Sequence, residues 1–331
     1  MAIELISKSK QQYKANLHCH STLSDGKQTP EELKEAYRKE GYQILAITDH
    51  CIPCPHPELA EEDFLLLTGY EAYIRPGGAP YNRYAPEVHL NLFAKDPRND
   101  KLINYNADYC KYLPLERHAE FHCVGDTSPR NFSVEYINRF IETANEHGYL
   151  VAYNHPFWSM DSEERILSYR NIFSLEIYNT SSYMGNQLEN AEPLYDVMLR
   201  HGHRIGCHGG DDNHSERDRF GGHTVILADK LDYASVIDAL EKKNFYASTG
   251  PRIYEMKVEG NRVSLTTSPA ERIQVYYGAK NILNAIAPAG ETVTEASFEI
   301  PAGAKYLRAS VRDGKGRSAN SRGFFPDEWQ E

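Results

Sequence analysis

His18-Cys19-His20 places two imidazoles two residues apart. In an extended strand that spacing turns both rings to one side, where they can grip a single cation. Acidic and imidazole side chains then recur down the chain. Asp25 lies in the Ser24-Asp25-Gly26 turn, His50 ends Thr48-Asp49-His50, and Glu71 closes Gly69-Tyr70-Glu71. His89 sits in Val88-His89-Leu90, His155 in Asn154-His155-Pro156, and Asp212 and His214 flank Asn213. One HxH arises easily by chance, but these donors follow the ends of separate apolar runs. Together they exceed the needs of one ion. A mixture of imidazoles and carboxylates suits zinc, manganese or iron, whereas a calcium or magnesium site is richer in oxygen.

Such donors need elements that bring them together. The short apolar runs are Ala15–Leu17, Ile44–Ile47, Phe64–Leu67, Val88–Leu92, Leu150–Tyr153, Leu175–Tyr178 and Arg204–Cys207. They alternate with polar, helix-like stretches, the pattern of parallel strands joined by crossover helices. Seven strands suit an α/β barrel, whose strand C-termini share one face, so donors far apart in sequence would converge there. Thr29 caps a helix with Pro30 first, Glu31 and Glu32 at its positive end and a stop at Gly41. Ser133 precedes the stripe Val134, Ile137, Phe140, Ile141 and Ala144, closed by His147 and Gly148. Weaker helical patterns cover 187–201 and 231–243. The segment 96–130 has no clear period and reads as a lid or lateral excursion.

After Gly250 the pattern becomes two-residue alternation, in Val263/Leu265, Ile273/Val275/Tyr277 and Leu307/Ala309/Val311. Turns at Gly260-Asn261 and Asp313-Gly314 separate these strands. The expected division is a barrel over 1–249 and a small antiparallel β domain, sandwich-like, over 250–331. With 331 residues, 40% hydrophobic and 25% charged, the chain can bury a full core. No apolar run approaches the roughly 20 residues of a membrane span, and the N-terminus lacks a signal-like core, so the expected location is cytoplasmic. A net charge of −11 disfavours extended duplex nucleic acid and leaves a small or single-stranded phosphorylated partner open. Oligomeric state is not legible. Six cysteines form no disulfide framework, and Cys51 and Cys54 read as free thiols of a tight loop.

The ordered motifs, from His18-Cys19-His20 and Asp25 through Thr48-Asp49-His50, Glu71, His89 and Asn154-His155-Pro156 to Asp212-Asn213-His214, resemble those of the PHP (polymerase and histidinol phosphatase) family. They span about two thirds of the sequence. The resemblance implies a distorted TIM-like barrel of seven β/α units and a metal-dependent phosphoesterase. It also implies two or three divalent ions (Zn, Mn or Fe). One ion would be held by His18, His20, Glu71 and Asp212 and a second by Glu71, His89 and His155, with Glu71 bridging. A third would take Asp25, His50 and His214. Two close cations acidify a bridging water, so the expected nucleophile is a metal-bound hydroxide, with no side-chain nucleophile. Cys19 alternates to the opposite side of its strand and reads as core.

Arg75, Arg217 and Arg252 are candidate phosphate forks. Glu176, Asn179, His208 and His223 are candidates to orient ligands, contact substrate or donate a proton to the leaving group. His56, His118, His122, His201 and His203 read as structural or surface residues. The expected reaction is hydrolysis of a phosphomonoester or phosphodiester of a small molecule or nucleotide. Two alternatives stand beside it: C–N hydrolysis of the amidohydrolase type, and a non-catalytic metal-stabilised binding protein.

Overall fold

The computed structural model describes residues 2–77, 81–188 and 190–330. Each of the seven apolar runs forms a strand, because a short buried run rich in β-branched and leucine side chains satisfies both faces of a covered sheet. They belong to one thirteen-stranded sheet. Its order begins Gly206–Gly210, Ser174–Asn179, Tyr149–Tyr153, Val88–Ala94, Leu65–Ile74, Ile44–Ile47 and Gln11–Asn16. It continues through His223–Ala228, Phe245–Ser248, Ser318–Ser321, Arg308–Arg312, Arg272–Tyr276 and Leu283–Ile286.

Two features differ from an all-parallel barrel. Val88–Ala94 runs antiparallel to both of its neighbours, and His223–Ala228 runs antiparallel to Gln11–Asn16. The second pairing takes up the outer edge of Gln11–Asn16, so Gly206–Gly210 curls back beside it without a continuous backbone ladder. Thr224 bridges the gap instead: its Oγ1 accepts from the Gly209 N–H at 3.2 Å and donates to the Gly209 carbonyl at 2.9 Å. Just beyond, the Asp212 N–H donates to the His18 carbonyl (2.9 Å) and the His20 N–H to the Asn213 carbonyl (3.2 Å). Among the described residues the sheet is therefore strongly curled, with mixed strand direction, and not a closed ladder of seven β/α units.

The helices form where capping and amphipathy place them. Pro30–Lys39 starts on a capping box between Thr29 and Glu32 and ends before Gly41, whose φ is +75°. Val134–Glu146 is capped by the Ser133 hydroxyl and buries Ile137, Phe140, Ile141 and Ala144. The stretch 187–201 is not one helix. Thr180–Asn186 ends at Gln187, whose φ of +60° breaks the turn, and Glu192–Arg200 starts afresh with Pro193 in its first turn. The last helix is Tyr233–Glu241, capped by Asp232. The segment 96–130 holds a parallel strand pair, Lys101–Ile103 with His122–Val124, and 3-10 turns at Ala107–Tyr109 and Leu115–Glu120.

Past Gly250 the alternating runs form the expected antiparallel strands, and Gly260, with φ +55°, makes the turn between Ile253–Glu259 and Arg262–Ala270. These strands are split between two sheets. One is four-stranded and includes Ile3–Ile6 from the N-terminus; the rest extend the main sheet.

Candidate metal centre

The site lies where strand ends of opposite direction meet. His18 and His20 follow the strand Gln11–Asn16, with Cys19 bridged in parallel to Asn213. Glu71 is inside the strand Leu65–Ile74, which runs on past it because it pairs with Val88–Ala94. His89 stands at the beginning of that antiparallel strand, so a strand start and the parallel strand ends share one face. His155 (φ +28°) and Asp212 (φ +51°) sit in left-handed backbone immediately after their strands. Non-glycine residues hold that conformation only where surrounding contacts impose it, and such strain concentrates at functional sites.

Glu71 is the hub. Its Oε1 is 3.1 Å from His18 Nε2, 3.1 Å from His89 Nδ1 and 3.3 Å from His155 Nε2, and its Oε2 is 3.0 Å from His50 Nδ1. Asp212 Oδ1 lies 3.2 Å from His18 Nε2 and 2.9 Å from His20 Nε2. Around Asp25 are His50 Nε2 at 3.6 Å, His214 Nε2 at 3.5 Å and His20 Nδ1 at 3.8 Å. All nine donors named from the sequence thus gather in one cluster, and His20 and His50 each turn one nitrogen to either half of it.

These contacts are close but mostly not hydrogen bonds. His18 Nε2, His50 Nδ1 and both ring nitrogens of His20 and His89 are buried without a hydrogen-bond partner. Buried imidazole nitrogens left unpaired are costly unless something else takes their lone pairs. Donor atoms of His18, His20 and Glu71, of His50, Glu71 and His89, and of His20, Asp25, His50 and His214 each lie within 4.8 Å of one another. That geometry and donor set fit divalent cations.

Electrostatics agree. Burial alone would push the Glu71 carboxyl up, but His89, His18, His50 and His155 hold it well below the usual carboxylate range. Burial opposes ionisation of Asp212 too, and His18, His20 and His214 overcome it. Both carboxylates are therefore ionised and available as ligands at neutral pH.

A second layer fixes the rings. Glu176, fully buried, accepts from the His155 backbone N–H (3.0 Å) and Asn179 Nδ2 (3.0 Å), and its Oε1 lies 3.0 Å from His18 Nδ1. Such a carboxylate sets the tautomer of a ligating imidazole. Asn179 also reaches Asp212 Oδ2 at 3.1 Å, and Asn154 Nδ2 donates to Glu71 Oε1 at 2.8 Å. Ser159 Oγ lies 3.2 Å from His155 Nδ1. Asp49 is no donor to the cluster; it accepts from Ser21 and Ser24 and ties the loop after His20 to Thr48-Asp49-His50.

A cavity of about 260 Å³ opens on the cluster, lined by seven of the nine donors; His18 and His20 lie fully buried outside its lining. Of the candidate substrate contacts, Arg75 lines it. Glu176 and Asn179 lie in the layer behind. His208 is buried with Nδ1 2.9 Å from Ser174 Oγ, and burial lowers its pKa to about 4. His223 packs edge-on to Tyr42 and is likewise outside the lining. Arg217 is on a separate surface groove against Asp218, and Arg252 is near Ser268. Cys19 is buried with Leu33, Tyr37 and Leu45, and burial raises its thiol pKa well above the ordinary value. Cys51 meets Cys110, whose Sγ is 3.9 Å from the Cys51 carbonyl oxygen, and all six cysteines are free.

Sequence reasoning did not single out Glu87, Lys111, Tyr112 or Trp158. The last three line the cavity, and Glu87 Oε2 stands 3.4 Å from His89 Nε2 while receiving Arg75 Nε. Glu87 had a signal, since Glu87-Val88-His89 has the same alternation as the HxH. Lys111 and Tyr112 had none, because the segment carrying them has no period.

The DNA polymerase/3'-5' exonuclease PolX of Bacillus subtilis is 53% identical over 49 residues, a match taking in 15% of this chain and 8% of that protein. A two-domain protein from Bacteroides vulgatus, containing a predicted PHP-like metal-dependent phosphoesterase, superposes with TM-score 0.46 at 14% identity, over 96% of this chain and 97% of its own. An amidohydrolase from Chromobacterium violaceum gives 0.42 at 17%, over 70% and 96%. The lesion-specific endonuclease PfuEndoQ from Pyrococcus furiosus gives 0.43 at 14%, over 70% and 56%. The family model for the PHP domain matches residues 16–105, which contain His18, His20, Asp25, His50, Glu71 and His89. That match covers the stretch in which the first six residues of the ordered motifs fall.

Proposed function

We propose that the chain is a metal-dependent phosphoesterase that hydrolyses a phosphomonoester or phosphodiester of a small molecule or nucleotide. One observation carries this reading: buried imidazole nitrogens without hydrogen-bond partners converge with ionised carboxylates at the floor of a small cavity. His18, His20, Glu71 and Asp212 would hold one ion and Glu71, His89 and His155 a second, with Glu71 between them. Asp25, His50 and His214 would hold a third. Zinc, manganese and iron suit these donors. Bound there, the ions would acidify water and neutralise charge on phosphoryl oxygens.

The chain's own residues do the positioning. Glu176 and Asn179 hold His18 and Asp212, so those donors meet the cation without reorganising. Asn154 fixes Glu71 from behind. Trp158 packs edge-on against His89 and His155, with ring centroids 5.3 and 4.9 Å away. The proposed division of labour gives 1–249 the site and 250–331 a supporting role. Among the described residues no helix is long and apolar enough to cross a membrane.

The test is phosphate release from phosphomonoesters, nucleotides and short oligonucleotides, using protein of measured metal content reloaded with manganese, zinc or iron. His18→Ala and His20→Ala are expected to lose metal and turnover while keeping the wild-type far-UV circular dichroism. Retained turnover in these variants sinks the reading; so does a metal-loaded wild type that cleaves amides and leaves every phosphoester intact.

A further inference from the structure

Two cationic side chains line the cavity, Arg75 and Lys111. They differ in what they already hold. Arg75 is buried, its Nε is taken by the Glu87 carboxylate, and its guanidinium lies 4.4 Å from the Tyr73 ring centroid. Lys111 is exposed at the mouth, its Nζ is 4.9 Å from the Tyr112 ring centroid, and among the described residues it has no carboxylate partner.

The placement of Lys111 is imposed from both sides. Tyr109 and Cys110 before it are buried; the Tyr109 carbonyl accepts from the Tyr73 hydroxyl at 3.1 Å, and Cys110 Sγ meets the Cys51 carbonyl. Tyr112 after it donates to Asp25 Oδ2 at 2.7 Å and stacks on His50, with centroids 5.9 Å apart and planes at 14°. A segment without sequence periodicity is thus pinned on both sides of Lys111, whose ammonium, without a carboxylate partner among the described residues, belongs to the lining of the cavity that opens on the cluster.

We propose that Lys111 is a substrate-binding residue that pairs with the second negative charge of a terminal phosphate and so selects phosphomonoesters over phosphodiesters. The proposal rests on the phosphoesterase reading above. A monoester is a dianion near neutral pH and turns three free oxygens outward, so one remains for Lys111 after the others face the cluster. A diester carries one negative charge, and its second ester arm would occupy the space in front of the ammonium. The three carboxylates in the lining, Asp25, Glu71 and Asp212, offset part of any cationic charge bound beneath, which leaves Lys111 a deciding charge at the mouth.

The experiment compares wild type, Lys111→Met and Lys111→Arg, each reloaded with metal and matched for metal content and circular dichroism. Activity is read on p-nitrophenyl phosphate and bis(p-nitrophenyl) phosphate, and inorganic phosphate binding by calorimetry. Lys111→Met is expected to lower kcat/KM for the monoester about tenfold or more, mainly through KM, as for loss of one charge-assisted hydrogen bond. The diester should change by less than about threefold, as for an exposed charge without a partner. Phosphate binding should weaken in parallel with monoester activity, and Lys111→Arg should restore both. Equal losses on the two esters, or phosphate binding unchanged in Lys111→Met, overturn the proposal. A metal-loaded wild type that cleaves neither these esters nor any phosphoester of the panel above overturns the phosphoesterase reading and the ester selectivity with it, whereas unchanged phosphate binding in Lys111→Met on an active enzyme overturns the Lys111 assignment alone.

Discussion

At the scale of single residues, a histidine's chemistry follows from what surrounds it. His18 and His89 stand among carboxylates, which raise their pKa values against the effect of burial. His223 is the opposite case. Burial, with Lys14, Arg252 and Arg317 nearby, lowers its pKa to about 3. An unfolded chain would titrate this imidazole near 6.5. Between those pH values the unfolded state takes up a proton that the folded state refuses, so the His223 contribution is complete above pH 6.5 and is lost as pH falls toward 3. Urea unfolding of wild type and His223→Phe at pH 7 and pH 5 checks this. Wild type should lose more stability on acidification than the variant, by up to about 1.4 kcal/mol per pH unit below 6.5; parallel losses would refute the assignment. The residues of the cluster were legible at this scale because HxH alternation and acidic turns are local. Arg217 and Arg252 were not separable from Arg75, since proximity in sequence to a ligand says nothing about which way a loop turns.

At the scale of elements, the strand Gly206–Gly210 shows how tightly backbone and site are fitted. A Cβ on Gly210 would lie 2.7 Å from Glu176 Oε1 and 2.9 Å from His18 Cβ, distances that real side chains do not tolerate. Gly210→Ala should therefore displace the Glu176–His18 pair and weaken metal binding about tenfold or more, by analogy with loss of a supporting partner. Competition with a metal chelator measures it, and undiminished metal retention would show that the strand has slack. The capped helices Pro30–Lys39 and Val134–Glu146 were legible because their start signals and apolar stripes are written in consecutive residues. The direction of Val88–Ala94 was not. An apolar run looks the same parallel or antiparallel, and the choice depends on which neighbours flank it.

At the scale of the whole molecule, the strands beyond Gly250 are joined to the rest by more than the chain. Arg308 is fully buried; its Nε and Nη2 donate to Asp196 at 3.0 and 2.5 Å and its Nη1 to Asn320 at 2.9 Å, while Tyr306 donates to Asp196 at 3.0 Å. The pair links the helix Glu192–Arg200 to the strand Arg308–Arg312. Asp196→Ala would leave a buried guanidinium unpaired, and the expected loss is about 3–5 kcal/mol. Denaturant unfolding reads it, and a loss under about 1 kcal/mol would mean that water reaches Arg308. The sequence by itself determined most of the strands and the capped helices and pointed to the nine residues that gather in the cluster, because alternation, capping and ligand chemistry are local properties of neighbouring residues. Only the tertiary structure decided that the sheet curls with mixed direction, that Glu176 and Asn179 stand behind His18 and Asp212, and that Lys111 and Tyr112 reach the cavity. Those outcomes depend on contacts between residues tens to hundreds of positions apart, whose geometry no local pattern records.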